Sequence, residues 1–185
     1  KGFEVHAINV NTSIIAAAER KRMATRAKKL GAAKFEMIDI SDDFYNDCLR
    51  YLIYGNMLRN DTYPMSVSSE RAFQALAILK YVKSVKAKYV AHGSTGAGND
   101  QIRFDIIFQS IAPHVKIITP IRDHSFSRQY EVDYLKSKGF NWSEDKKNYS
   151  INEGIWGTSV GGKETLTSHL PLPEEAYPTK LSRAK

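Results

Sequence analysis

The sequence predicts an α/β protein in which a parallel sheet carries helices on both faces. Three observations predict it. Strand-like and helix-like segments alternate from the first residues to about residue 139, the pattern of βα units rather than of hairpins. The stretch 89–105, YVAHGSTGAGNDQIRFD, runs from a short apolar strand through a glycine-rich loop into a helix, and ligands of open α/β sheets sit at such junctions. The chain has 185 residues and is 42% hydrophobic, enough for one substantial domain, or for one domain and part of another.

The elements follow in order. Residues 3–10 alternate apolar and polar side chains and predict a strand. Residues 16–30 predict a helix, closed by Gly31 at the C′ position. Residues 34–40, with Met37, Ile38 and Ile40 apolar, predict a second strand. Residues 42–55 predict a helix whose acidic first turn, Asp42 and Asp43, suits the helix dipole. Residues 56–69 form the first long irregular stretch, a length associated with function. Ser66, Ser68 and Ser69 are candidate N-caps for a helix reaching about Lys83. Phe73, Leu76, Ala77, Leu79 and Val82 make that helix apolar on more than one side, so it is expected to be well buried. Residues 115–121 predict a further strand, and 127–138 a helix closed by Gly139. Residues 141–148 predict a polar loop, and beyond about Val160 no helix or strand is predicted. The division expected is residues 1–140 as one α/β domain and 141–185 as the beginning of another.

Composition narrows the function. The net charge is +7, from 27 Lys and Arg against 20 Asp and Glu. The basic residues are spread along helices, as in Arg20, Lys21, Arg22, Arg26, Lys28 and Lys29, which reads as a solvated face rather than a nucleic-acid surface. Cys48 is the only cysteine, so an intramolecular disulfide and a cysteine-rich metal site are excluded. A reduced, cytoplasmic setting fits best. No apolar run is long enough to cross a bilayer as a helix. No secretory signal opens the chain; its first residues already predict a strand, so it is expected to begin in mid-fold.

The loop has the chemistry of an anion site. Backbone N–H groups at a helix N-terminus, with the dipole behind them, favour phosphate or carboxylate. Gly93, Gly96 and Gly98 allow close backbone approach and positive φ, and Asn99 or Asp100 offers a side-chain cap. Asn99, Asp100 and Arg103 share one face of the first turn. Together they can grip a zwitterion, Asp100 taking an ammonium and Arg103 a carboxylate. The plainer alternative is a capped helix start with an internal Asp100–Arg103 ion pair. His92, at the strand end, reads as a hydrogen-bonded structural residue.

The run HGSTGAGNDQIRFD at 92–105 resembles the signature of argininosuccinate synthase. YPMSVSSER at 63–71 and YSINEGIWGTS at 149–159 agree, in the family's order and at plausible spacings. The resemblance implies an adenine-nucleotide α-hydrolase-like, Rossmann-like fold of the ATP-pyrophosphatase class. It implies a carbon–nitrogen ligase of arginine biosynthesis that joins citrulline to aspartate. ATP and Mg²⁺ are consumed or required, AMP and pyrophosphate are released, and the reaction passes through an adenylated citrulline. It further implies a homotetramer, with neither nucleic acid nor membrane as partner. By motif, Thr95, Asn99 and Asp100 match the aspartate-binding residues. Tyr63, Ser68, Asn99, Arg103, Ser150 and Ser159 match the citrulline contacts. The backbone from Ala91 through His92, Gly93, Ser94, Gly96 and Ala97 to Gly98 matches the segment facing ATP. No catalytic nucleophile or base is implied.

Two departures carry expectations. Ala97 stands where many relatives have lysine, which removes a positive charge near the phosphates. The serine- and glycine-rich loop that ends the class's first strand has no counterpart, so the sheet's first strand is expected to be missing, 141–185 to open the synthetase domain, and the segment alone to be inactive. Competing readings are another ATP-pyrophosphatase-class enzyme, such as a tRNA thiolase or an amidotransferase synthetase, and a non-catalytic interaction module.

Overall fold

The computed structural model describes residues 2–12, 15–96, 98–140 and 149–178. Strand β1 (His6–Asn11) lies parallel to β2 (Lys34–Asp39), His6 opposite Lys34 and Asn11 opposite Asp39. The ladder runs one bond further at each end, Ala33 N–H to the Val5 carbonyl (2.8 Å) and Ile40 N–H to the Asn11 carbonyl (2.9 Å). Helix α1 (Ala17–Lys29) crosses between them and packs on β2. It ends as expected. Gly31 has φ +89°, its N–H bonds the Lys28 carbonyl, and the Ala32 N–H bonds the Ala27 carbonyl, the paired bonds of a Schellman motif.

The helix expected at 42–55 is interrupted. It comprises α2 (Ser41–Phe44), a π-helical turn at Tyr45–Leu49 and α3 (Arg50–Tyr54). The turn starts after Phe44 and ends on Leu49, both fully buried, with Phe44 edge-on to Phe73. A single π turn rotates the following residues out of the 3.6 register.

The irregular stretch after it contains a small hairpin, β3 (Leu58–Arg59) with β4 (Tyr63–Pro64). Asn60 and Asp61, both at positive φ (54° and 57°), turn it, the geometry of a type I′ turn.

Helix α4 (Met65–Ser84) organises the rest. Ala75, Leu79 and Val82 lie on one face, and Ser66, Glu70 and Ala77 on the opposite one; all six are buried. The expected burial on more than one side is therefore met. The three serines are not N-caps, because the helix already starts at Met65. Ser68 and Ser69 donate to the Met65 carbonyl within the first turns (2.9 and 3.0 Å).

Strand β5 (Tyr89–Ala91) pairs in parallel with β6 (Lys116–Ile118), joined by α5 (Asp100–Ile111). The main core sits here: Ala75, Leu79 and Val82 of α4 meet Val90, Phe108, Ala112 and Val115. A short α6 (Pro120–Asp123) and α7 (Arg128–Ser137) follow. Ser127 caps α7, its Oγ accepting from the Tyr130 N–H at 3.2 Å. An antiparallel hairpin, β7 (Ser150–Glu153) with β8 (Thr158–Gly161), and two 3₁₀ turns close the described chain. The loop expected at 141–148 lies outside the described residues.

The α/β expectation holds, with one correction. The four parallel strands form two separate pairs, not one sheet. A ladder needs neighbouring strands about 4.8 Å apart, and no strand among the described residues hydrogen-bonds β1 to β5. Side chains bridge the gap instead: the Phe3 ring stands edge-on to Tyr89 at 5.2 Å, and α4 packs on β1 as well as on α5.

Candidate active site

Three distant stretches meet at the first turns of α4. The β7–β8 hairpin seats its tip there. Ser66 Oγ donates to the Trp156 carbonyl. Gly157, at φ +97°, presses on the Pro64 ring so closely that a Cβ would stand 2.7 Å from it. Gly154 faces the Glu70 carboxylate in the same way, at 2.9 Å. Glycine is required at Gly157 twice over, for its φ and for this contact.

Between this platform and the glycine loop opens a cavity of about 550 Å³. The β3–β4 hairpin lines it with Arg59, Asn60, Thr62 and Tyr63. The loop contributes Ser94, Thr95, Gly98 and Asn99, α5 contributes Asp100 and Arg103, and β7 contributes Asn152. Among the described residues no histidine or cysteine lines it.

The charges are arranged on the Asp100 carboxylate. Arg103 Nη1 donates to Oδ1 at 2.7 Å, and Arg71 Nε donates to Oδ2 at 3.2 Å. The internal ion pair considered for Asp100 and Arg103 thus exists, with a second arginine added. Arg71 also donates from Nη1 to Gln74 Oε1 (3.2 Å) and from Nη2 to Asn152 Oδ1 (3.4 Å). Gln74 Nε2 reaches Glu70 Oε1 (3.4 Å), which accepts as well from Thr12 Oγ1 at the end of β1. A polar chain therefore links the carboxyl end of β1 to the first turn of α5.

A second network holds the root of the loop. The Ser94 N–H points at His92 Nδ1 (3.4 Å), so Nε2 carries the proton and donates to Asp105 Oδ1 at 3.0 Å. Arg122 Nη1 donates to Asp105 Oδ2 (2.5 Å) and to Gln101 Oε1 (3.1 Å). Gln101 Nε2 in turn donates to the Gly96 carbonyl (2.6 Å). Burial pushes the Asp105 carboxyl up, but the hydrogen bonds from His92 and Arg122 and the Arg122 charge outweigh it, and it lies below its usual range. The same carboxylate raises the Arg122 guanidinium. The His92 ring packs on Phe104 and Phe108.

Of the residues singled out from sequence, Tyr63, Ser94, Thr95, Gly98, Asn99, Asp100 and Arg103 share the cavity wall. Ala91, His92, Gly93 and Gly96 belong to the same strand end and loop without lining it. Ser68 turns its hydroxyl to the Met65 carbonyl, and Ser159 stands opposite Asn152 in the hairpin register; neither lines the cavity. Ala97 and the Ser150 side chain lie outside the described residues. The cap expected at Asn99 or Asp100 does not form: Asn99 holds the N-cap position without a side-chain bond, and Asp100 is committed to the arginines. None of Gly93, Gly96 and Gly98 has positive φ. Their use is space: the nearest atoms to a Cβ would be Ile121 Cγ1 (3.9 Å) at Gly93 and Arg122 Cγ (3.8 Å) at Gly96, with nothing within 4 Å at Gly98.

Sequence reading missed Arg59, Arg71 and Asn152. Arg71 stood inside a quoted motif, and its position five residues after Ser66 gave no hint of a partner on α5. Asn152 had a usable signal, since Gly154 and Gly157 between two short runs mark a hairpin.

Three amides, the Asp100 carboxylate and the guanidiniums of Arg59 and Arg103 line the cavity, with Arg71 behind Asp100. Such a set binds and orients charged groups and stabilises charge during transfer; it does not itself attack. The open backbone over the loop suits a phosphate chain. Among the described residues no three His, Cys, Asp or Glu side chains cluster as a metal site. No helix among the described residues is long and apolar enough to cross a membrane.

Comparison with known proteins gives a consistent result. The arginosuccinate synthase N-terminal HUP domain model matches residues 1–141. The argininosuccinate synthase of Methanocaldococcus jannaschii is 40% identical over 159 residues, covering 86% of this chain and 40% of that protein. That of Saccharolobus solfataricus is 35% identical over 175 residues, 95% of this chain and 45% of that protein. That of Chlorobaculum parvum is 35% identical over 161 residues, 86% and 40%. The chain spans about two fifths of the length of these curated relatives.

Proposed function

Because the chain belongs to the argininosuccinate synthase family, we propose that it supplies the nucleotide-binding part and much of the amino-acid site of an ATP-dependent ligase joining citrulline to aspartate. The observation that carries this reading is the shared cavity of Tyr63, Thr95, Asn99, Asp100 and Arg103. Arg103 takes the citrulline carboxylate, because its planar fork matches a carboxylate bidentately. Asp100 takes the ammonium of aspartate, and Thr95 and Asn99 hydrogen-bond its carboxylates. Tyr63 closes the citrulline side, and Ser68, Ser150 and Ser159 are assigned to the same ligand by motif. The backbone from Ala91 to Gly98 faces ATP, and Mg²⁺ rides on the phosphates. ATP supplies the adenylyl group that activates the ureido oxygen, and pyrophosphate leaves. The residues of this chain contribute orientation and charge, so no nucleophile–base pair is required. In this reading residues 141–185 begin the substrate domain of a cytoplasmic homotetramer.

The test is pyrophosphate release by the full-length protein given ATP and Mg²⁺. Release that requires both citrulline and aspartate supports the reading. Release that ignores aspartate, or that requires tRNA, overturns it in favour of another member of the ATP-pyrophosphatase class.

A further inference from the structure

Resting on that reading, we infer that Arg71 is a positioning residue that couples the two amino-acid subsites through Asp100, so that a carboxylate bound at Arg103 raises affinity for an ammonium at Asp100. In the free protein the Asp100 carboxylate is shared: Oδ1 with Arg103 Nη1 at 2.7 Å, Oδ2 with Arg71 Nε at 3.2 Å. Only one of the two arginines is open to the cavity. Arg103 lines it; Arg71 does not, and spends its remaining donors on Gln74 and Asn152. The two arginines therefore respond differently to a ligand.

An incoming carboxylate that engages Arg103 competes with Asp100 for Nη1 and disperses the guanidinium charge. Oδ1 is then released toward the cavity with its full charge and its lone pairs unused. It does not swing away, because Arg71 still holds Oδ2 and is itself fixed to α4 and β7. The freed oxygen stands three residues from the occupied arginine on the same helical face, where an ammonium can donate to it. Before the first ligand binds, that ammonium would meet an oxygen already engaged by a cation. Arg71, Asp100 and Arg103 together carry one net positive charge, which a first carboxylate neutralises and an isolated ammonium does not. Two ligands are linked through one carboxylate, and the linkage is reciprocal: each raises the affinity of the other by the same factor.

Isothermal titration calorimetry on the full-length protein measures this. The quantity is the ratio of the aspartate Kd without citrulline to that with saturating citrulline. The ratio expected for the wild type is about five or more, the lower range of ordinary coupling. In Arg71→Lys, which keeps the charge but loses the fork, and in Arg71→Gln, each shown to be folded by circular dichroism, the ratio is expected to fall toward one. Were Arg71 only structural, both ligands would weaken while the ratio stayed. A wild-type ratio of one or below, with both ligands binding, overturns the coupling and leaves the proposed function standing. Arg71 variants that keep the wild-type ratio overturn the role of Arg71. A folded wild-type protein that binds neither citrulline nor aspartate overturns the proposed function and this inference with it.

Discussion

The two parallel strand pairs are built by different means. In β1–β2 six residues face six, and the pairing is mostly backbone. Its side chains are half-buried or exposed except at the carboxyl end, where Asn11 and Thr12 are buried. In β5–β6 only three residues face three, yet Val90 of this pair lies in the main apolar core, and the His92–Asp105–Arg122 network that holds the glycine loop starts at its end. The short ladder leaves the chain free to turn away as a loop directly after Ala91, and the packing of Phe108 and Val90 against α4 replaces the missing backbone bonds. Length of ladder and location of chemistry are thus opposed here: the long pair is a frame, the short pair a platform.

The sharpest way to break that contrast is to remove core volume from each side. Phe108→Ala is expected to cost about 3–5 kcal/mol, the usual range for a buried phenylalanine, and Val10→Ala in β1 about 1 kcal/mol, both by urea unfolding. Equal losses would mean that the long ladder bears as much stability as the core beside the loop.

Next comes the site at the end of the short pair. Arg103→Lys is expected to weaken citrulline binding by roughly 1.5–3 kcal/mol, because an ammonium cannot reproduce the guanidinium fork. ATP binding should change far less. Titration of each ligand decides it, and unchanged citrulline affinity would remove Arg103 from the site.

The polar networks give a smaller and pH-dependent effect. The Asp105 carboxyl lies below its ordinary 3.8 in the folded protein. The unfolded chain therefore binds a proton more readily, and the stabilisation is complete above about pH 4 and is lost as pH falls through the lowered value. Asp105→Asn is expected to cost about 1–3 kcal/mol near pH 7 and progressively less under acid, so stability curves of variant and wild type should converge as pH falls below the ordinary 3.8.

The smallest effect belongs to the frame. The Asp39 carboxyl is also lowered, first by the Ser41 backbone N–H and also by Asn11, but the residue is exposed. Asp39→Asn should follow the same acid trend with a cost of about 0.5 kcal/mol or less, as for most surface substitutions. An Asp39 effect as large as that of Asp105 would erase the distinction between frame and platform.

The parts of the fold governed by local pattern were legible in the sequence. The period of β1, Gly31 and Gly139 as helix stops, and the strand–loop–helix at 89–105 follow from side chains and their immediate neighbours. What was not legible depended on distant partners. The division into β1–β2 and β5–β6 follows from no period within the strands; only the expected absence of the first strand pointed to it. The π turn at Tyr45–Leu49 runs from the buried Phe44 to the buried Leu49, whose packing no periodicity reveals. At the site, the residues on one helical turn were found together, whereas Arg71 and Asn152 were not, because their bond joins α4 to a strand of a later hairpin. Ser68 was misjudged as an N-cap for a related reason: inside a helix its hydroxyl has a carbonyl one turn back to satisfy it.

That same seating of the β7–β8 hairpin on α4 has a consequence for the order of events during synthesis. Ser66 and Trp156 are 90 positions apart, Arg71 and Asn152 81. Contacts of such separation close late, since the loop entropy must be met before they return anything. A ribosome adding about 5–20 residues per second leaves α4 and the glycine loop waiting several seconds for the hairpin. During that interval Glu70 and Arg71 have no lid, and the nascent chain presents a charged, unfinished cleft to whatever binds such surfaces first.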